Sequence, residues 1–147
     1  ATEVEAALTR HPGVNIIWAH AGTSKTLHRF QGKMDFLLPT ITRMMEAHSN
    51  LYIDLSWTVL RPYLLDEHDR PVEGWVTLVA RYPSRFVVGS DLLGKYDSMG
   101  EKLSAFEPFL RALTPEAATQ VARSNFLALL PRNGIHPLTA VAPASPP

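Results

Sequence analysis

Three residues pair an ionisable side chain with a place at or near the end of a short apolar run: His20, Asp54 and Asp91. His20 closes Val14-Asn-Ile-Ile-Trp-Ala-His20. Asp54 lies in Leu51-Tyr-Ile-Asp54, which continues into Leu55-Ser-Trp57, and Asp91 closes Arg85-Phe-Val-Val-Gly-Ser-Asp91. An imidazole nitrogen and a carboxylate oxygen together ligate a divalent metal, or serve as base and orienter for a water. The same residue types also have a structural use, the histidine bonded to a backbone carbonyl and the aspartate capping a loop. Residue type leaves both readings open. Position favours chemistry for His20 and Asp91, because both close apolar runs that read as buried strands, where solvent and loops meet. Asp54 is followed by more apolar sequence, and bonding to neighbouring backbone accounts for it better.

Other side chains flank these ends. His28 and Arg29 fall in the loop after the first run, placed either to bind an anionic substrate group or to be solvated. Trp57 and Arg61 follow the second run as one wall of a pocket, or as core and lid packing. Lys95 and Tyr96 come soon after Asp91, within reach of a substrate there. His11, His48 and His68 lie at helix ends or in a connection, where capping carbonyls or meeting solvent suffices. The chain has no Gly-x-Ser-x-Gly elbow, no phosphate loop and no Gly-x-Gly-x-x-Gly, so those chemistries lack their parts.

The elements that must hold these residues alternate. Thr2 to Arg10 reads as a helix on Val4, Ala7 and Leu8, ended by His11-Pro12-Gly13. A strand from Val14 to His20 follows, then a loop to Lys33. Leu37, Ile41, Met44, Met45 and His48 repeat at helical spacing, with Pro39 acceptable in a first turn. A strand from Leu51 to Leu55 leads into a long connection, 56–72. Val72, Val76, Val79 and Ala80 mark the next helix, and the third strand runs to Asp91. Ser98-x-x-Glu101 opens a helix with Leu103, Phe106 and Leu110 on one side. Thr114-Pro115-Glu116 opens the last, with Val121, Phe126 and Leu129 inward. Steps of 34 and 37 residues separate His20, Asp54 and Asp91, close to one βα unit each. Strand, helix, strand, helix, strand is an α/β protein with a parallel sheet, and three such strands leave two long edges exposed.

Composition removes several alternatives. With 14 basic and 14 acidic residues the formal net charge is zero, so no basic field calls for nucleic acid or an anionic membrane. There is no cysteine, which excludes disulfides, thiolate metal sites and Cys nucleophiles. No apolar stretch approaches the roughly 18 residues of a membrane span, and Ala1-Thr-Glu-Val-Glu5 is acidic rather than signal-like, so a soluble protein is expected. The chain starts without Met and goes straight into a helix, as expected when something precedes it. Residues 132–147 form a Pro/Ala-rich tail, its stretch from Leu138 to Pro147 mostly Ala, Pro and Ser with little to bury, beyond a domain of residues 1–131.

Val14-Asn-Ile-Ile-Trp-Ala-His-Ala-Gly22, Asn50-Leu-Tyr-Ile-Asp-Leu-Ser56, Arg85-Phe-Val-Val-Gly-Ser-Asp91 and Leu113-Thr-Pro-Glu through Ser124-Asn-Phe together resemble the last part of an amidohydrolase-related enzyme. The family includes metal-dependent amide hydrolases and nonoxidative decarboxylases. The resemblance implies a partial (β/α)8 TIM barrel, its last three parallel βα units (strands six to eight) plus C-terminal helices. It implies that His20 is the sixth-strand histidine, a metal ligand or water-activating base, and that Asp91 is the eighth-strand aspartate that holds the metal, expected to be zinc, or its activated water. The family's first-strand His-x-His and fifth-strand histidine have no counterpart here. The expectation is therefore the C-terminal portion of a hydrolase acting on a small-molecule substrate and completed by a missing N-terminal half. Alternatives are a decarboxylase on the same scaffold, or a non-catalytic partial barrel that covers its edges as a homo-oligomer or on another chain.

Overall fold

Helix α1 spans Thr2–Arg10, with Leu8 buried beneath it. It ends where Pro12 has no N–H to offer the Leu8 carbonyl. The Asn50 side chain takes that place: its Nδ2 donates to Leu8 O (3.3 Å), His11 O (3.0 Å) and Val14 O (3.1 Å). The end of α1 and the approach to the first strand are thereby tied to the start of the second.

The computed structural model describes residues 1–130 other than 25, 27, 28, 31, 93 and 95; His28, Lys95 and the tail at 132–147 lie outside the described residues. Strands β1 (Ile16–Trp18), β2 (Leu51–Asp54) and β3 (Phe86–Val87) form one parallel sheet in the order β1-β2-β3. Helix α2 (Leu37–Ala47) links the first pair and α3 (Glu73–Arg81) the second. On the central strand Leu51 and Ile53 are fully enclosed, and both residues of β3 are buried. Arg85 anchors the entry to β3 by donating to Met45 O and His48 O at the C-terminal end of α2, 2.5 Å each, where carbonyls lack helical partners.

All three strands are shorter than their apolar runs. The first was expected to be buried from Val14 to His20, yet Val14, ahead of the strand, is 56% exposed and Ile17 is 44% exposed, on the side of β1 opposite Ile16 and Trp18, which pack against the core. The third was expected to run to Asp91, but residues 88–92 leave the sheet. Of the expected stripe Val79 is buried and Val72 and Val76 pack against the core, while Ala80 is exposed; Trp75 and Leu78 complete the core-facing side of α3.

The helix expected from Ser98 breaks into α4 (Met99–Ser104) and α5 (Glu107–Leu110), because Pro108 cannot donate to the Ser104 carbonyl. Phe106 and Phe109 are buried, and Leu103 is 40% exposed. The last helical run starts as read: Thr114 caps it by accepting from the Ala117 N–H (3.2 Å), and Pro115 holds the first helical position. It continues as α6 (Pro115–Thr119), a wider π-type turn (Gln120–Ser124) and α7 (Asn125–Leu129). Ala117, Val121 and Asn125, spaced by four, face inward; Phe126, one position further, is 51% exposed rather than buried. Asn125 Nδ2 donates to Pro83 O (2.7 Å) and Phe86 O (2.8 Å), pinning this run to β3. No helix among the described residues is long and apolar enough to cross a membrane.

One surface contact joins α1 to α2. Arg43 donates to both Glu5 oxygens (2.6 and 2.9 Å), with His48 Nε2 3.7 Å from Oε1. The Arg43 hydrogen bond holds the Glu5 carboxyl down to about 2 from its ordinary 4.5. A carboxyl held low contributes stability that is fully present above its ordinary value and disappears as pH falls toward the depressed one. Glu5→Gln should therefore lose less stability than the unaltered chain between pH 4.5 and pH 2. Urea midpoints at both ends of that window check it, and equal losses in the two chains would refute it.

Candidate active site

The site is built by side-chain parity along β2. Leu51, Ile53 and Leu55 point into the core, so Asp54 and Ser56 project to the opposite side, and the two are only two residues apart. Trp18 on β1 is in register with Ile53. Two more residues of straight strand would carry His20 abreast of Leu55, facing away from Asp54. The chain instead turns through His20 (φ 53°), Ala21 (φ 51°) and Gly22 (φ 75°), three consecutive left-handed residues. That turn brings the imidazole to the Asp54 and Ser56 side.

The contacts are close. His20 Nδ1 lies 2.9 Å from Ser56 Oγ and 3.5 Å from Asp54 Oδ2. Ser56 Oγ–H donates to Asp54 Oδ2 at 2.6 Å, and Asp54 also accepts the backbone N–H groups of Ser56 (3.0 Å) and His20 (3.2 Å). The other ring nitrogen, Nε2, is 3.8 Å from Asp91 Oδ2. The Trp57 ring meets the imidazole edge-on, with 5.2 Å between centroids. Imidazole and Asp91 carboxylate are 21% and 35% exposed, accessible enough to meet a ligand.

Asp91 opens onto a cavity of about 970 Å³ between the 89–92 segment, the Trp57–Arg61 stretch and α4 with its following turn. Trp57, Leu60, Leu92 and Phe106 give it apolar walls, and Arg61, Glu101 and Lys102 add charge of both signs. Arg61 lines this space while forming an ion pair with Asp69. Of the residues singled out in the sequence, Asp91, Trp57 and Arg61 line this cavity, and His20 is not in its lining but lies against Asp91 and Trp57. Arg29 is exposed, His28 lies outside the described residues, and Tyr96 is 68% exposed.

Asp54 bonds neighbouring backbone, as its apolar continuation implied, and it also reaches His20. Ser56 and the α4 wall were not singled out. For Ser56 a signal existed in Asp54-x-Ser56, since period two places both on one face of a strand.

Backbone strain concentrates here as well. Among the described residues the non-glycine residues with left-handed φ are His20, Ala21, Trp57, Asp69 and Asp91, and all but Asp69 belong to this site. Such conformations cost on the order of 1–3 kcal/mol each and cluster where function requires them.

The fit to a metal is partial. His20 Nε2 and Asp91 Oδ2 are separated by more than a direct hydrogen bond and by somewhat more than the roughly 3.3 Å between two ligands of a tetrahedral zinc. A catalytic zinc usually takes three protein ligands, and among the described residues no group of three or more His, Asp or Glu side chains is arranged to hold a metal ion. The described residues do not form a complete metal site. Compared with protein-family models, curated proteins and solved structures, the chain has no significant match.

Proposed function

We propose that this chain is the C-terminal part of a metal-dependent (β/α)8 hydrolase of the amidohydrolase type, contributing strands six to eight of the barrel. The observation that carries the reading is the convergence of His20, Asp54 with Ser56, and Asp91 beyond the C-terminal ends of three adjacent parallel strands, the rim on which barrel enzymes assemble their chemistry. The strain gathered at those ends supports it. So do the strands β1 and β3, each paired on one side only among the described residues.

In this reading His20 Nε2 takes and returns a proton at the cavity, Asp91 orients the group that carries it, and the Trp57 and Phe106 walls exclude water from an apolar substrate portion. Asp91 would be one ligand of such a metal, and His20 Nε2 would be either a second ligand or the group that handles the proton, not both at once; the remaining ligands would come from outside the described residues. The metal, when bound, lowers the pKa of a water or polarises a carbonyl.

The isolated chain should bind zinc weakly and show no hydrolysis, measured by titration calorimetry and substrate-panel assays. Stoichiometric tight zinc that disappears in His20→Ala or Asp91→Ala would overturn the reading of an incomplete site. The coding sequence upstream of Ala1 is the direct test: a His-x-His closing an apolar strand supports the proposal, and its absence sinks it.

A second reading, a non-catalytic partial barrel that dimerises or docks on another chain, is favoured by one observation. Val14 and Ile17 leave apolar area exposed at and just before β1, and Phe30 and Phe36 are exposed in the connection that follows it. A tight symmetric dimer without metal, by mass measurement in solution, would select it. Decarboxylation instead of hydrolysis would use the same scaffold and the same residues.

A further inference from the structure

We propose that Ser56 is a positioning residue whose hydroxyl relays between Asp54 and His20 and locks His20 in the Nδ1–H tautomer, so that the Nε2 lone pair faces Asp91, which lines the cavity. The inference deepens the reading of His20 as the proton-handling group of this site. It follows from counting protons. The Ser56 hydroxyl has one, and at 2.6 Å from Asp54 Oδ2 it lies against an acceptor-only carboxylate. An O–H···O⁻ bond of that length is charge-assisted and strong. What Ser56 Oγ presents to His20 Nδ1 at 2.9 Å is then a lone pair, so Nδ1 must be the donor. A neutral imidazole has a single N–H, which leaves Nε2 bare.

The reverse assignment, Ser56 donating to Nδ1, would leave two lone-pair-bearing oxygens 2.6 Å apart with no proton between them. The Asp54 carboxylate is held in place from two further directions by the backbone N–H groups of His20 and Ser56, so it cannot swing away from that conflict. The relay also accepts from the doubly protonated ring, because Nδ1 donates in both states. A proton taken up by His20 therefore enters and leaves at Nε2, 3.8 Å from Asp91 Oδ2, a gap that a substrate atom or water spans and a direct hydrogen bond does not.

Ser56 is not the nucleophile of a Ser-His pair. It is 3% exposed, its proton is committed to Asp54, and it sits under Gly89, whose added Cβ would lie 3.6 Å from Ser56 Cβ. Its part is to fix the ring through the nitrogen remote from the chemistry. Second-layer carboxylates do the same for catalytic and metal-bound histidines, here with a hydroxyl interposed.

Long-range ¹H–¹⁵N correlation spectra of the full ¹⁵N-labelled chain, recorded above the histidine titration range, test this. His20→Gln identifies the His20 signals. The expected pattern is a pyrrole-type Nδ1 and a pyridine-type Nε2. In Ser56→Ala both resonances should move toward the Nε2–H form that free histidine prefers. If Ser56→Ala fails to fold, Ser56→Cys, close in shape but a poor donor and acceptor, should shift them the same way. An Nε2–H or mixed pattern in the unaltered chain overturns the proposal, as does an unaltered pattern in the variants. The measurement requires neither metal nor turnover. The tautomer can be found in a chain that proves to be no part of a hydrolase, and it can be missing from one that hydrolyses, so the two inferences fail separately.

Discussion

Asp54→Ala should cost about 3 kcal/mol of folding stability, more than most single substitutions, although Asp54 is less exposed than either His20 or Asp91. Its carboxylate is 17% exposed and accepts three hydrogen bonds, from the His20 N–H, the Ser56 N–H and the Ser56 hydroxyl. Alanine leaves two backbone donors and a hydroxyl without their acceptor in a largely dry setting, each worth roughly 1–3 kcal/mol when stranded, with some relief from entering water. The β2 end also loses the contact that holds the left-handed turn after β1 against it, so the strain there is no longer offset. Asp54→Asn keeps one acceptor oxygen and the shape, and should cost about half as much. Urea unfolding with an unaltered slope is the measurement. A loss below about 1 kcal/mol in Asp54→Ala would show that the three hydrogen bonds do not order this rim.

The contrast between Asp54 and His20 marks how far the sequence alone reaches. Where a local signal and a tertiary need agree, the elements are legible. Helix α1 has the boundaries its stripe and the His11-Pro12-Gly13 stop imply, Pro39 falls in the first turn of α2, and Thr114 with Pro115 opens the last helical run. The parallel β1-β2-β3 sheet follows from alternation and spacing. Sense and side are not legible. Little in Trp18-Ala-His-Ala-Gly22 except the glycine says that the chain turns left-handed at His20, because alanine carries no such preference and histidine, though enriched there, adopts it in only a small fraction of its occurrences. A straight reading places His20 on the wrong side of the sheet. Polar residues that hold the fold were passed over for a related reason: Asn50, Ser56 and Asn125 look like surface residues by type, and each is buried because it satisfies backbone or carboxylate groups that the apolar core cannot.

Within that turn the residue with the least freedom to change is Gly22. At φ +75° it occupies a conformation costing a side-chain-bearing residue roughly 1–2 kcal/mol. A Cβ there would also lie 2.2 Å from Cζ2 and 2.6 Å from Cε2 of Trp18, inside the body of the indole and not at a flexible tip. Accommodating it means moving Trp18, which pairs in register with Ile53 at the centre of the sheet, and forced overpacking of this kind costs about 1–3 kcal/mol. Gly22→Ala should therefore lose about 3 kcal/mol in urea unfolding, and the shifted turn should displace the His20 ring from Ser56 and from the edge of Trp57. Gly94 supplies the internal comparison. It has the same φ of +75° with nothing among the described residues within 4 Å of an added Cβ, so Gly94→Ala should show the backbone part alone, about 1 kcal/mol. If the two substitutions cost the same, the Trp18 contact does not constrain the turn. If Gly22→Ala is the more costly and also broadens the His20 ring signals, the conformation that makes His20 available to the cavity is held by a glycine that no ligand would touch.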